Sequence, residues 1–299
     1  MEIKITFLGT GQAVPTAKRN HPAMLLQYSN ENILIDCGEG TQRQFRKAKL
    51  NPCKLTRLLI THWHGDHILG IPGLLQTLAL NGYNKTLEVY IPKGTGRFFN
   101  LIQNIFVHRG AIKINLHEVE NGKIIETPDF YIEAERMVHE TPCLAYSFVE
   151  KDRVKIDKEK MKKLGLKSSP ALRELKKGVS IKVKNKVITP ESVLYTEKGK
   201  KVTFILDTAM NSNAVKIAKN SDLLVCESTY LKQEQALAKN YGHLTAEQAA
   251  EIAKKSNSKK VILTHISQRY DICEKRILKE ARKVFKNAEI SNDLMEIKI

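Results

Sequence analysis

The 299-residue sequence predicts an α/β fold in which two β-sheets lie face to face with helices outside them. Two observations carry this expectation. Apolar runs of strand length alternate with helical patterns in both halves of the chain, and several of these runs end in a polar residue of ligand type. The halves also echo each other: Leu34-Ile35-Asp36 matches Ile205-Leu206-Asp207, and Leu59-Ile60-Thr61-His62 matches Ile262-Leu263-Thr264-His265. Polar side chains at the ends of strands from both halves can converge on one seam.

Taken in order, Ile3, Ile5 and Phe7 alternate as a strand before Gly9-Thr10-Gly11 turns the chain. Residues 23–26 and 33–35 are two further strands, the second ending in Asp36-Cys37-Gly38. Leu58-Leu59-Ile60 precedes a histidine-rich loop and a helix through Leu74, Leu75 and Leu78. Residues 87–91 read as a strand and 97–106 as a helix. In the second half, Thr203-Phe204-Ile205-Leu206 ends in Asp207, Leu223-Leu224-Val225-Cys226 in Glu227, and Lys260-Val261-Ile262-Leu263 in Thr264-His265. Thr245, with Gln248 three residues on, has the capping-box pattern that starts a helix. An amphipathic helix is expected over 272–285.

Composition removes several classes. Hydrophobic residues make up 42% and charged residues 27%, a globular rather than a disordered mixture. No run approaches the roughly 18 consecutive apolar residues of a membrane helix, and Met1-Glu2-Ile3-Lys4-Ile5-Thr6 lacks the apolar run of a signal peptide. Five scattered cysteines without a C-x-x-C pair point away from a disulfide framework and from a cysteine-type zinc site. The expectation is a soluble, cytoplasmic protein with no membrane partner.

The net charge of +17 favours polyanionic partners. It is concentrated: residues 151–177 hold 11 Lys/Arg against 4 Asp/Glu, a surplus of 7, where an even spread would leave about 1.5. This window reads as two short helices. Asp157 caps the first, which carries Met161 and Leu164 and ends at Gly165; Ser169 caps the second, with Pro170 at its first position, Leu172 and Leu175 as anchors and Gly178 past its end. Two anchors per helix are too few for a core, so a protruding basic arm is expected.

Thr61-His62-Trp63-His64-Gly65-Asp66-His67 is the sharpest signal. Extended backbone has a side-chain period of two, so His62, His64 and Asp66 are expected on one side as the strand opens into a loop. On a helix His62 and His64 would diverge by about 200°, which separates this pattern from the helical H-E-x-x-H site. Asp66 and His67 are adjacent, so one segment offers two diverging ligand pairs. Two pairs suit two metal ions, and imidazole with carboxylate favours zinc, then manganese or iron. Without a cation, three histidines and an aspartate against a strand end would be costly.

This hexad resembles the signature of the metallo-β-lactamase superfamily. The resemblance implies an αββα four-layer sandwich with a two-metal site at the seam. It implies His62, His64 and His139 for one ion, Asp66, His67 and His265 for the other, and Asp207 shared. Two Zn2+ per subunit are expected, with Mn2+ or Fe2+ as substitutes. Asp36 takes the place of a buried carboxylate that orients the histidine loop. His21, His108 and His117 lack such context and stay unassigned.

Four further features resemble the ribonuclease Z family, the tRNA 3′-processing endonucleases, in its short form. They are Phe7-Leu8-Gly9-Thr10-Gly11 continuing to Pro15-Thr16, the run Thr264-His265-Ile266-Ser267-Gln268-Arg269-Tyr270, the loop Gly242-His243-Leu244-Thr245 with Glu227, and the position of the basic arm. The resemblance implies one metallo-β-lactamase-fold domain over 1–299, with 151–177 inserted as a tRNA-binding exosite, acting on precursor tRNA as a homodimer. The cut would leave a 3′-hydroxyl on the tRNA and a 5′-phosphate on the trailer. Two cations activate a water and neutralise a phosphodiester under in-line attack. Asp66 is the candidate proton acceptor, and His243, its tautomer fixed by Glu227, the candidate donor to the departing 3′ oxygen. Arg269 is a candidate phosphate contact, as are Lys162, Lys163, Arg173, Lys176 and Lys177 of the arm, and such binding weakens with salt. The chain departs from the family in carrying Ser169-Pro170 where the arm usually has Gly-Pro, and Ala17-Lys18 where a Pro-x-Lys-x-Arg-Asn loop places its lysine one residue earlier.

Two rival readings remain at this point. A phosphodiesterase of the same fold acting on small phosphodiesters or another RNA would use the same metal residues without the arm. A tRNA-binding scaffold lacking catalysis would use the arm alone, and the complete ligand set argues against it.

Overall fold

A computed structural model describes residues 2–104, 112–166, 171–183 and 186–299. The chain divides into two compact units: one of Met1–Glu126, Ile132–Phe148 and Lys201–Ile299, the other of Thr127–Tyr131 and Val149–Lys200.

Two seven-stranded sheets are present among the described residues. The first runs, edge to edge, through Glu296–Lys298, Ile3–Gly9, Ala23–Tyr28, Glu31–Ile35, Arg57–Leu59, Thr86–Pro92 and Lys113–Val119. It is antiparallel up to Glu31–Ile35 and parallel beyond. One row across it, Leu25–Leu34–Leu58–Val89–Leu116, packs against Leu74, Leu75 and Leu78 of the helix Ile71–Leu80. Truncating Leu74 or Leu78 to alanine, both fully buried, would cost about 2–5 kcal/mol.

The second sheet runs through Ala288–Ile290, Val261–Thr264, Leu223–Glu227, Lys201–Ile205, Leu144–Glu150, Phe130–Arg136 and Gly122–Glu126. Its parallel row Ile205–Cys226–Leu263–Ile290 is covered by Ala246, Ala249, Ala250 and Ala253 of the helix Ala246–Lys255 and by Ile277 and Ala281 of Lys275–Val284. Alanine on the packing face lets that helix lie close to the sheet.

The opposite faces are buried too: Met24, Leu26, Ile33 and Ile35 on one sheet, Phe204, Val225 and Ile262 on the other. A strand buried on both faces reads as a continuous apolar run, which is why these segments stood out in the sequence. The two inner faces meet where the Tyr28 and Phe148 rings pack edge-on at 5.1 Å and where Tyr146 donates its hydroxyl to the Ile60 carbonyl at 2.7 Å. The layered α/β expectation holds.

Some details differ. The last long helix begins at Lys275 rather than 272, and Ile272 is 97% exposed instead of forming its apolar face. The helix expected over 97–106 spans Gly96–Gln103, and Phe106 lies outside the described residues. Thr245 caps its helix as expected, accepting from Gln248 N–H while the Gln248 side chain accepts from Thr245 N–H.

The second unit corrects the expectation that the basic segment has no core. Asp157 does cap Lys158–Lys163, accepting from the N–H groups of Glu159 and Lys160. Ser169 and Pro170 lie outside the described residues. Leu172 and Leu175 of the helix Ala171–Lys176 are buried with Leu166, Ile188 and Val193, and Ile156, Met161, Ile181, Val183 and Leu194 pack around them. Besides Ile156 and Leu166, the extra apolar partners come from beyond residue 177: Ile181, Val183 and Ile188 on the antiparallel pair Ile181–Val183 with Lys186–Ile188, Val193 at the end of the helix Pro190–Val193, and Leu194 on the strand Leu194–Glu197, which pairs with Arg153–Ile156. Leu164, expected as an anchor, is 37% exposed.

Candidate metal centre

His62 and His64 follow the short strand Arg57–Leu59 in extended backbone, and the chain then enters a helical turn over Gly65–Ile68. The period of two therefore holds for His62 and His64 but stops before Asp66. Asp66 turns instead toward His67 and His265, its Oδ2 lying 3.4 and 3.5 Å from their Nε2 atoms. Trp63, between the two histidines, packs against Phe98 with ring centroids 5.6 Å apart.

The other members come from the ends of strands in the second sheet. His139 follows Phe130–Arg136, Asp207 follows Lys201–Ile205, Glu227 ends Leu223–Glu227 and His265 follows Val261–Thr264. His265 and Asp36 both adopt left-handed backbone, φ 58° and 55°, a conformation uncommon outside glycine. Their counterparts in the repeated pattern, Asp207 and His62, are not left-handed, so the echo between the halves does not extend to the turn after the strand.

These side chains close on one another. His62, His64, His139 and Asp207 form one group of converging ligand atoms, and Asp66, His67 and His265 another. Asp207 faces both: its Oδ1 lies 3.2 Å from His265 Nε2 and 3.5 Å from His67 Nε2, while its Oδ2 lies 3.5 Å from His62 Nε2 and 3.9 Å from His139 Nε2.

Hydrogen bonds behind the rings fix which nitrogens are free. His67 donates Nδ1–H to Asp36 Oδ2 at 2.6 Å, and His139 donates Nδ1–H to the Gly242 carbonyl at 3.0 Å. The Thr61 hydroxyl donates its hydrogen bond to Asp36, so His62 Nδ1–H donates to Thr61 Oγ1 at 3.0 Å. Likewise the Thr229 hydroxyl donates to Glu227 at 2.7 Å, leaving its oxygen to accept from His265 Nδ1 at 3.0 Å. Four Nε2 lone pairs therefore point at carboxylate oxygens or at each other. His62 Nε2 and Asp207 Oδ1 are buried with no hydrogen-bond partner.

A buried set made only of acceptors is unfavourable by itself and fits a cation. Two nitrogens bound tetrahedrally at about 2.0–2.1 Å lie about 3.4 Å apart, and His139 Nε2 to His64 Nδ1 is 3.1 Å, His67 Nε2 to His265 Nε2 3.3 Å. The donor set of imidazole and carboxylate suits divalent transition metals.

The electrostatics agree. Burial and the neighbouring His67 push His62 well below the ordinary histidine range. Burial alone would raise Asp207, yet His265, His67, His243 and His62 hold it well below the usual carboxylate range. Burial opposes protonation of His67, but Asp207, Asp66 and Asp36 lift it well above its ordinary value. The site demands positive charge.

Glu227 and His243 also meet. Glu227 is fully buried, and its Oε1 accepts from Thr208 N–H at 2.7 Å and from His243 Nδ1 at 3.2 Å. Burial works against the His243 cation, but Glu227 and Asp207 raise its pKa to about 9. Arg269 is exposed, its guanidinium 5.9 Å from the centroid of the Tyr230 ring, which in turn lies 6.1 Å from the His243 ring. Lys162, Lys163, Arg173, Lys176 and Lys177 belong to the second unit and are exposed; Lys177 pairs with Glu174 at 2.8 Å.

Sequence reasoning missed the residues that set the tautomers. Thr61 and Thr229 hold His62 and His265, the Gly242 carbonyl holds His139, and Ala13 N–H donates to Asp66 Oδ2 at 3.0 Å. Backbone groups and lone threonines carry no pattern by which to find them. His21 and His117 lie outside the cluster: His21 bonds the Ala13 carbonyl, and His117 stacks on Tyr90 and pairs with Glu88 at 2.6 Å. His108 lies outside the described residues.

This sandwich and its cluster define a metal-dependent hydrolase of the metallo-β-lactamase fold. The β-lactamase superfamily domain model matches residues 172–266, and the model of anti-Pycsar protein Apyc1 matches residues 3–101. Ribonuclease Z of Methanothermobacter thermautotrophicus is 40% identical over 298 residues, covering 99% of this chain and 97% of that one. Ribonuclease Z of Chlamydia muridarum is 39% identical over 285 residues, 95% and 93% of the two chains. The crystal structure of the short form of human tRNase Z superposes with a TM-score of 0.71 at 26% identity, covering 98% of each chain. The chain belongs to the ribonuclease Z family, nucleases that depend on divalent metal.

Proposed function

We propose that the chain, whose relatives are named ribonuclease Z and tRNase Z, removes the 3′ trailer from precursor tRNA, leaving a 3′-hydroxyl on the tRNA and a 5′-phosphate on the trailer. The observation that carries this reading is the double ligand set shared by Asp207, one carboxylate oxygen facing each group. His62, His64 and His139 would hold one Zn2+ and Asp66, His67 and His265 a second, with Mn2+ or Fe2+ as substitutes. Bound there, such ions supply a water nucleophile at neutral pH and neutralise the phosphodiester.

The chain's own residues do the rest. Asp66, beside His67 and His265, accepts the proton of the attacking water. As the water oxygen bonds to phosphorus and the bond to the 3′ oxygen breaks, His243 gives a proton to that oxygen, its ring held by Glu227. Arg269 neutralises a neighbouring phosphate, and Lys162, Lys163, Arg173, Lys176 and Lys177 grip the tRNA, as a basic arm over 151–177 inserted in one domain. The family resemblance supports a homodimer as the working form, to be checked by light scattering. Five free cysteines and the lack, among the described residues, of any helix long and apolar enough to cross a membrane support a cytoplasmic location.

The test is to incubate precursor tRNA carrying a 3′ trailer with metal-loaded protein, with and without chelator, and to map both product ends. Cleavage that stops with chelator and yields the stated ends supports the reading. No cleavage, or cleavage that survives full metal removal, overturns it.

A further inference from the structure

Between Gly40 and Gly65 the chain has six Lys or Arg and no Asp or Glu. An even spread of the net charge would give those 26 residues about 1.5, so this stretch is as dense in positive charge as the arm. Five of the six, Arg43, Arg46, Lys47, Lys49 and Lys54, are exposed; of these Lys47 lies near enough to Asp293 to stabilise its carboxylate, and Arg46, Lys49 and Lys54 form no ion pair among the described residues. The sixth, Arg57, is tied to Glu31.

The helix Thr41–Lys47 explains the arrangement. It buries Thr41, Gln44 and Phe45 and so turns Arg43, Arg46 and Lys47 outward. Lys49 follows the helix, and Lys54 closes the short turn Pro52–Lys54. Between helix and turn lies a cavity of about 360 Å³ lined by Arg46, Lys49, Leu50, Asn51, Pro52 and Asn81. Like charges this close repel one another, and a polyanion removes the repulsion.

The start of this helix packs close to the metal centre through buried hydrogen bonds. The Thr41 hydroxyl donates to the Gly38 carbonyl at 2.7 Å, and the neighbouring Cys37 N–H donates to the His67 carbonyl at 2.8 Å. From there the helix carries its cations away over about 10 Å.

We infer that this face binds the phosphates of the single-stranded 3′ trailer as it leaves the metal centre. The inference rests on the precursor-tRNA reading above. A flexible single strand starting at the cut can follow one helix face, and its charge complements a surface on which cations predominate.

The test is the variant Arg46→Glu/Lys49→Glu/Lys54→Glu, assayed on one tRNA with a trailer of one nucleotide or of about twenty, at two salt concentrations. The short trailer reports whether the body and metal centre are intact. For the long trailer kcat/KM should fall about tenfold or more, and its salt slope should shrink by about 2, roughly 0.7 for each of three lost contacts. The short trailer should change less than about twofold. Equal losses on both substrates, or none on either, overturn the inference. Anisotropy with the free RNA of about twenty nucleotides, whose binding the variant should weaken about tenfold, needs no cleavage. Unchanged binding there overturns the inference by itself, whereas failure of the wild type to cut any precursor counts against the nuclease reading instead.

Discussion

His67 and His265 meet Nε2 to Nε2 at 3.3 Å, and each already donates its Nδ1–H to another acceptor, Asp36 in one case and Thr229 in the other. Two lone pairs held that close repel unless positive charge lies between them. The same holds for the oxygens of Asp207 and Asp66 that face the pair. The geometry is thus built around cations, and the residues behind the rings matter because they keep the lone pairs bare.

Asp36→Asn tests that support. Asparagine tolerates the left-handed backbone at φ 55°, so the strand end is kept. It offers a single acceptor oxygen where Asp36 takes hydrogen bonds from Thr61 N–H, Thr61 Oγ1 and His67 Nδ1. Metal affinity, measured by chelator competition, should fall about 10–100-fold, and cleavage should recover with added metal. Unchanged affinity would contradict the role.

His243→Ala separates proton donor from ligand, since Asp207, His243 and His265 also lie close enough to share an ion. As a donor, His243 should be worth about 10²–10⁴ in kcat on precursor tRNA with metal content unchanged. Bis-p-nitrophenyl phosphate, whose leaving group needs no proton, should lose much less. A fall in bound metal would make His243 a ligand.

Leu175→Ala addresses the second unit. Leu175 is fully buried in the small core with Leu166, Leu172, Ile188 and Val193, and its truncation should destabilise that unit by about 2–5 kcal/mol. Precursor tRNA should then bind less tightly while turnover of bis-p-nitrophenyl phosphate is kept. Leu164→Ala, at a side chain 37% exposed, should change neither. Hydrogen exchange of the unit with both kinetic assays checks this, and parallel loss of both activities would contradict the division of labour.

The parts legible in the sequence were those with a period or a dense pattern. Strands buried on both faces, such as Leu223–Glu227, show as continuous apolar runs, and the polar residue at each end marks the seam. His62 and His64 were placed by the two-residue repeat of extended chain, which failed at Asp66 because a helical turn starts at Gly65. Strands such as Lys113–Val119 and Gly122–Glu126 were not seen, since charged segments that alternate between exposed and half-buried residues carry little signal of their own. The core of the second unit was missed because its partners Ile181, Ile188 and Val193 lie beyond the basic window. Thr61 and Thr229 were missed because their role exists only once distant strands meet.

Native mass spectrometry of the folded chain after zinc reconstitution tests the central claim most directly. The account predicts the mass of the chain plus two zinc ions, with loss of bound zinc in Asp207→Ala, whose carboxylate faces both groups. A folded wild type that takes up no divalent ion, or an Asp207→Ala variant that still holds two, would contradict it.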